Sequence, residues 1–217
     1  MNTRIKQITT LGMLAALAYI VMAVIHIPVV PALPFLWYDP KDVVIVIGGL
    51  IYGPMSAFLL SLVVSLVEMA TVSSTGILGL IMNVISSSAF AVTASYIYKK
   101  RRTMSGAITG LLSGIVLTVV VMTLWNYIIT PIYTGMPREA VAALLLPAII
   151  PFNLIKASLN AGLTMLLYKP LVLGLRKTSL LEQPEKQTKR FNPGMVILGL
   201  FLVATSALVI LILQGIL

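Results

Sequence analysis

Long apolar runs separated by short polar breaks dominate the chain, at residues 8–27, 43–52, 55–72, 77–98, 104–127, 151–173 and 194–217. Most approach the roughly 20 residues needed to carry a helix across about 30 Å of hydrocarbon. None alternates strictly over about ten residues, as a barrel strand would, so the pattern predicts helical spans. Two stretches fall short. Gly53-Pro54 ends the second run early, and the apolar segment 140–150 carries Pro147, which predicts a break before a helix opened by Pro151. Pro28, Pro31, Pro34 and Pro40 surround Phe35, Leu36, Trp37 and Tyr38, a composition that excludes a helix and predicts an extended aromatic outer loop. Ser73-Ser74-Thr75-Gly76 reads as a tight outer turn, and Pro131, Tyr133, Gly135 and Pro137 as a further outer loop.

Composition turns this pattern into a class. With 217 residues, 59% hydrophobic, 10% charged and a mean hydropathy of +1.05, the chain is predicted to be an all-α integral membrane protein. The first run is too long for a signal-peptide core and lacks a convincing cleavage site, so it is expected to be retained. No cysteine is present, which excludes disulfides, thiolate metal sites and cysteine nucleophiles. The net charge of +9 sits in short clusters between apolar runs: Arg4 and Lys6, residues 99–102, and Lys169, Arg176, Lys177, Lys186, Lys189 and Arg190. The positive-inside rule accounts for these clusters without nucleic acid. It places the amino terminus in the cytoplasm and, with seven predicted spans, the carboxyl terminus outside. The expected organisation is a membrane bundle over 1–175, a cytoplasmic linker over 176–193 containing Glu182, Pro184, Glu185 and Lys186, and a peripheral seventh helix over 194–217.

The candidate chemistry lies where polar residues interrupt these runs. Asn153, Lys156 and Asn160 follow i, i+3, i+7 spacing and so share one helix face. A lysine at the centre of a spanning helix costs about 2.5–3.5 kcal/mol, so Lys156 is expected either in a cavity or within snorkelling reach of the interface. Asn126, between Trp125 and Tyr127, is not explained by an aromatic belt; Gly79 and Asn83 are spaced for close approach and polar contact. Asp39 and Asp42 flank Lys41 either as helix caps or as site residues, and Glu68 is either interfacial or cavity-facing. In the first helix Gly12, Ala15, Ala16 and Ala18 make a shallow surface suited to docking another membrane subunit or a helix of the same chain.

Asn83, Asn126, Asn153 and Lys156 converge on the outer third of the bundle. With the loop at 35–38 as a lid, they predict a pocket for a planar, partly polar small molecule. There is no Walker motif, and the few acidic residues form no relay across the bilayer, so energy must come from another subunit. His-Glu-x-x-His is absent and the single histidine, His26, sits at a boundary position, which argues against an intramembrane enzyme; polar groups on one side argue against a facilitator or channel.

Several segments carry a family resemblance over roughly residues 8–175. They are Gly12-Met13-Leu14-Ala15-Ala16-Leu17-Ala18, Asp39-Pro40-Lys41-Asp42-Val43 leading to Gly53-Pro54, and Ser74-Thr75-Gly76 followed by Gly79 and Asn83. Trp125-Asn126-Tyr127 with Pro131-Ile132-Tyr133, and Pro151-Phe152-Asn153-Leu154-Ile155-Lys156, are the most specific. The chain resembles the riboflavin-specific substrate-binding (S) components of energy-coupling factor (ECF) vitamin transporters. The resemblance implies a six-helix subunit of the bacterial cytoplasmic membrane that captures riboflavin and joins a transmembrane coupling protein and two ATPases. It implies that Asn126, Asn153 and Lys156 hydrogen-bond the flavin, with Asn83, Gly79, Trp37, Leu36 and Asp39 completing the ligand-binding set, and that Gly12, Ala15 and Ala16 meet the coupling protein. Riboflavin would be cargo, with no catalytic residue, metal or cofactor. A component for another vitamin or flavin-like molecule is the alternative. Gly12 in place of alanine, Pro40-Lys41, Glu68, Asn160 and everything after Arg176 depart from the family pattern.

Overall fold

A computed structural model describes residues 3–30, 33, 36–73, 75–178, 180–181 and 193–216. In chain order these form α1 (Thr3–Val24), β1 (Ile27–Pro28), β2 (Trp37–Tyr38), α2 (Lys41–Tyr52), α3 (Pro54–Thr71), α4 (Gly76–Arg101), α5 (Met104–Thr134), α6 (Arg138–Leu144), a π turn (Leu145–Ile149), α7 (Ile150–Lys177) and α8 (Pro193–Leu213). Phe35, Pro31, Pro34, Ser74 and the central part of the expected linker, with Glu182, Pro184, Glu185 and Lys186, lie outside the described residues.

Six helical stretches are long and apolar enough to cross a membrane: α1, α3, α4, α5, the continuous path from α6 through α7, and α8. At 12 residues, α2 reaches only about 18 Å. It is held inside the bundle, with every residue from Lys41 to Gly49 buried. Gly53 makes the sharp α2–α3 junction at φ 101°, ψ 175°, a conformation open essentially to glycine alone. The bundle is therefore six core helices, α1 to α5 and α7, with α8 packed outside on α7. The core between them is apolar, built around Leu14, Ile45, Leu60, Phe90, Leu111 and Met165.

Gly106, Gly110 and Gly114 repeat at four-residue spacing along α5, and two of the three serve close helix contact. A methyl group added to Gly110 would lie 2.7 Å from the Ala94 carbonyl oxygen, and one on Gly114 would lie 2.8 Å from that of Phe90, so α4 and α5 touch backbone to backbone. Gly106 instead fits under the Arg101 side chain at the α4–α5 turn.

Two prolines expected to break helices do not. Pro131 lies inside α5, which continues to Thr134 and is closed by Gly135 at φ 72° with its N–H on the Pro131 carbonyl. The loop is shorter than expected because a proline this near a helix end sacrifices one backbone hydrogen bond and no long continuation. Pro147 falls in the π turn, where the hydrogen-bond ladder shifts by one residue and accommodates a residue with no N–H. The segment 140–150 is thus the upper part of one helical path, and Pro151 sits in the first α-helical turn after it. No described residue of the expected outer loop before Lys41 is helical, and the loop contains a short antiparallel ribbon pairing Ile27 with Tyr38 and Pro28 with Trp37.

Candidate ligand-binding site

One end of the bundle holds a chamber of about 450 Å³. Its walls come from the last turns of α1, α3 and α5 and the first turns of α4 and α7, and the β1–β2 ribbon covers it. The cationic cluster Lys99, Lys100 and Arg101 and the pair Arg176 and Lys177 occupy the opposite ends of α4 and α7. Chamber and basic clusters therefore lie at opposite ends of the bundle.

The polar side of the chamber is formed by Asn126, Asn153 and Lys156, with Asn83 across from them on α4. Asn126 and Asn153 are buried and each donates one Nδ2–H back to its own helix, to the Met122 carbonyl at 2.7 Å and the Ile149 carbonyl at 2.8 Å. Thr130 Oγ1 donates to Asn126 Oδ1 at 2.9 Å, which fixes the amide's orientation. Each carboxamide keeps a second N–H for another acceptor. The apolar side comprises Met22, Leu36, Met82, Met122 and Phe152, and Trp37 stacks on His26 at a centroid separation of 4.5 Å and an interplanar angle of 25°. Trp125 also lines the chamber, and its indole N–H is buried without an acceptor among the described residues.

Lys156 does not reach for headgroups. Its Nζ donates to Asp39 Oδ2 at 3.0 Å, and its side chain is only 15% exposed. Asp39 Oδ1 faces Lys41 Nζ at 3.6 Å, and Lys41 Nζ donates to Glu68 Oε2 at 2.6 Å. A chain of alternating charge thus runs from α7 through the outer loop to α2 and α3. Burial alone would raise the Asp39 carboxyl, but the Lys156 and Lys41 ammoniums outweigh it and hold its pKa at about 2. The carboxylate is therefore charged throughout the physiological range, and the stability it contributes is lost only as pH falls below about 4 toward that value.

A second network lies beneath the first. Tyr38 Oη donates to Asn160 Oδ1 at 3.0 Å, Asn160 Nδ2 donates to Asp42 Oδ2 at 3.3 Å, and Ser87 Oγ donates to Asp42 Oδ1. Burial, then the nearby Asp39 and Asp42 carboxylates, push the Tyr38 phenol above its ordinary pKa and keep it a donor. These four buried side chains join the ribbon, α7, α2 and α4, and their mutual satisfaction is what permits so much polarity inside a membrane bundle.

Most sequence-predicted site residues converge. Leu36, Trp37, Asp39, Gly79, Asn83, Asn126, Asn153 and Lys156 all line the chamber. Gly79 also makes room for the turn before α4, since a side chain there would collide with Thr75. Asn160 shares the face of Asn153 and Lys156 but lies deeper and is engaged by Tyr38 and Asp42. Asp42 makes no cap: the residue before α2 is Pro40, no side chain caps the helix, and both Asp42 oxygens are taken by other helices. Glu68 faces the chamber. Lys41 has a place that sequence reading did not assign it, being 1% exposed between two carboxylates. Its flanking aspartates were the available signal, but Glu68, 27 positions away, was not linked to it.

Removing one partner from such a pair leaves an uncompensated buried charge. Lys41→Leu is expected to lower the stability of the protein by about 3–5 kcal/mol, seen as a fall in thermal midpoint in detergent. Lys41→Leu combined with Glu68→Leu should recover most of that loss, because Asp39 still holds Lys156. Equal losses in the single and double variants would contradict the pairing.

A chamber at one end of a membrane bundle, with converging amides and a cation, defines a membrane protein that binds a small molecule. Residues 6–168 match the family described as ECF transporter, substrate-specific component, and the chain belongs to that family. It is the substrate-binding membrane subunit of an ECF-type importer. The chain is 29% identical over 178 residues to the riboflavin transporter RibU of Staphylococcus aureus, covering 79% of this chain and 93% of that protein. It is 28% identical over 163 residues to the riboflavin transporter FmnP of Bacillus subtilis, covering 70% and 85% respectively. A solved chain from work titled "Structure and mechanism of the S component of a bacterial ECF transporter" superposes with a TM-score of 0.68 at 30% identity, covering 80% of this chain and 99% of that one. The family match ends before α8, which begins at Pro193.

Proposed function

We propose that this subunit captures riboflavin at the outer face of the bacterial cytoplasmic membrane and delivers it inward with a transmembrane coupling protein and two ATPases. The observation that carries the reading is the convergence of Asn126, Asn153 and Lys156 on one side of a chamber whose other walls are apolar and aromatic. An isoalloxazine ring has matching edges: carbonyl and ring-nitrogen acceptors that suit amide and ammonium donors, and a dimethylbenzene edge that suits methionine and aromatic walls. The volume of about 450 Å³ lies within the range of about 300–1,000 Å³ usual for such ligands. That two similar proteins are named riboflavin transporters supports the same assignment.

The basic clusters support an orientation with the amino terminus and the α4–α5 turn in the cytoplasm and the chamber outside. The carboxyl terminus, after α8, is then outside. Docking of the coupling protein falls to α1. Gly12 and Ala16 are exposed, no other helix among the described residues lies within 4 Å of where a Gly12 side chain would begin, and Ala15 is half-buried at the edge of the face, while Ala18 of the expected surface is buried in the core. The small residues left open at Gly12 and Ala16 are suited to close approach by another helix.

Titration of the purified, ligand-stripped protein with riboflavin tests the reading. Flavin fluorescence is expected to be quenched to a one-to-one endpoint at submicromolar concentration. Unquenched flavin at tenfold molar excess of protein, with stabilisation by a different vitamin, would reject riboflavin and keep the subunit class.

A further inference from the structure

The helix beyond the family match touches both the ribbon and the binding helix. In its first third α8 meets the middle of α7 backbone to backbone: a methyl group on Gly162 would lie 2.9 Å from the Gly199 carbonyl oxygen, and one on Gly199 would lie 3.1 Å from that of Gly162. Nearer the chamber end, Ile210 of α8 is buried in a cluster with Val29, Leu36 and Tyr38 of the outer loop and with Phe152 and Ile155 of α7. Just past the end of α8, Gln214 Nε2 donates to the Pro28 carbonyl on β1 at 2.7 Å. Leu36 and Phe152 line the chamber, so Ile210 belongs to the apolar cluster that backs two of its walls.

We propose that α8 buttresses the ribbon over the chamber, with Ile210 and Gln214 as positioning residues that set how long the ligand stays bound. The strand pairing itself contributes little to holding the ribbon in place. It is a two-residue ladder with Val29 N–H on the Leu36 carbonyl at 3.2 Å, and a two-stranded ribbon of this size is not stable alone in water. Tyr38 anchors its second strand through Asn160, whereas Gln214 holds its first strand. With β1 and β2 tied to different helices, ligand escape requires the ribbon to part from α8 or from α7. Neither Ile210 nor Gln214 lines the chamber, so their removal leaves the ligand contacts in place.

The inference rests on the chamber being the ligand site, and the test separates the two. In full-length protein, Gln214→Ala with Ile210→Ala is expected to raise the riboflavin dissociation rate at least tenfold while the association rate changes less than threefold. Gln214→Ala alone, at a half-buried position that does not threaten the fold, should raise dissociation about threefold. Ile212→Ala, on the exposed side of α8, should leave it unchanged. Hydrogen exchange at the Val29 and Leu36 amides, measured without riboflavin, should quicken at least tenfold in the double variant. Dissociation and exchange both within twofold of the unsubstituted protein would overturn the buttress. If the unsubstituted protein does not bind riboflavin at all, the ligand assignment fails, and the exchange measurement alone decides the buttress.

Discussion

Lys156→Ala is expected to weaken riboflavin binding about 5- to 150-fold, the equivalent of roughly 1–3 kcal/mol for a charge-assisted hydrogen bond to an otherwise desolvated acceptor. The bundle should survive the change. Asp39 loses its 3.0 Å partner but remains 3.6 Å from Lys41, so the carboxylate is not stranded. Lys156→Met keeps the aliphatic stem and should fall in the same range, which separates loss of charge from loss of packing. Titration calorimetry on the three proteins measures this directly. An affinity within threefold of the original in both variants would remove Lys156 from the site and leave the ion pair with Asp39 as its whole role.

A bulky residue on α1 should act in the opposite way. Ala16→Trp is expected to cut riboflavin uptake by whole cells at least tenfold while leaving the affinity of the isolated subunit within twofold. Ala16 is exposed, and a side chain begun at the neighbouring Gly12 would meet no other helix among the described residues, so an indole there has space in the isolated subunit and obstructs only a closely approaching partner. Loss of uptake and binding together would mean that this face packs internally or that the subunit no longer folds. Uptake at the original level would place the coupling surface elsewhere.

The residues most legible in advance were those whose spacing alone decides their direction. Asn153 and Lys156, three apart on a helix, both face the chamber, and Gly110 and Gly114, four apart, both meet α4. Asn160 followed the same rule of direction but not of role, because the depth at which it meets Tyr38 and Asp42 depends on how the ribbon and α2 enter the bundle. The prolines misled for a related reason. A ring without an N–H weakens a helix locally, yet whether the chain breaks depends on what surrounds it, and Pro147 passes through a π turn while Pro131 sits close enough to an end to be tolerated. The Lys41–Glu68 pair was the least legible feature. No helical or strand spacing links two residues 27 positions apart, and only their approach to 2.6 Å reveals that the two buried charges compensate each other.

The central claim is that this chamber holds a flavin. The measurement that addresses it most directly is the identity of the small molecule released on denaturing the full-length protein, purified without added ligand from cells grown in vitamin-rich medium. Riboflavin, in a ratio approaching one per chain and reduced at least tenfold in Lys156→Ala, is the predicted result. A colourless preparation that releases a different vitamin in that ratio would contradict the account.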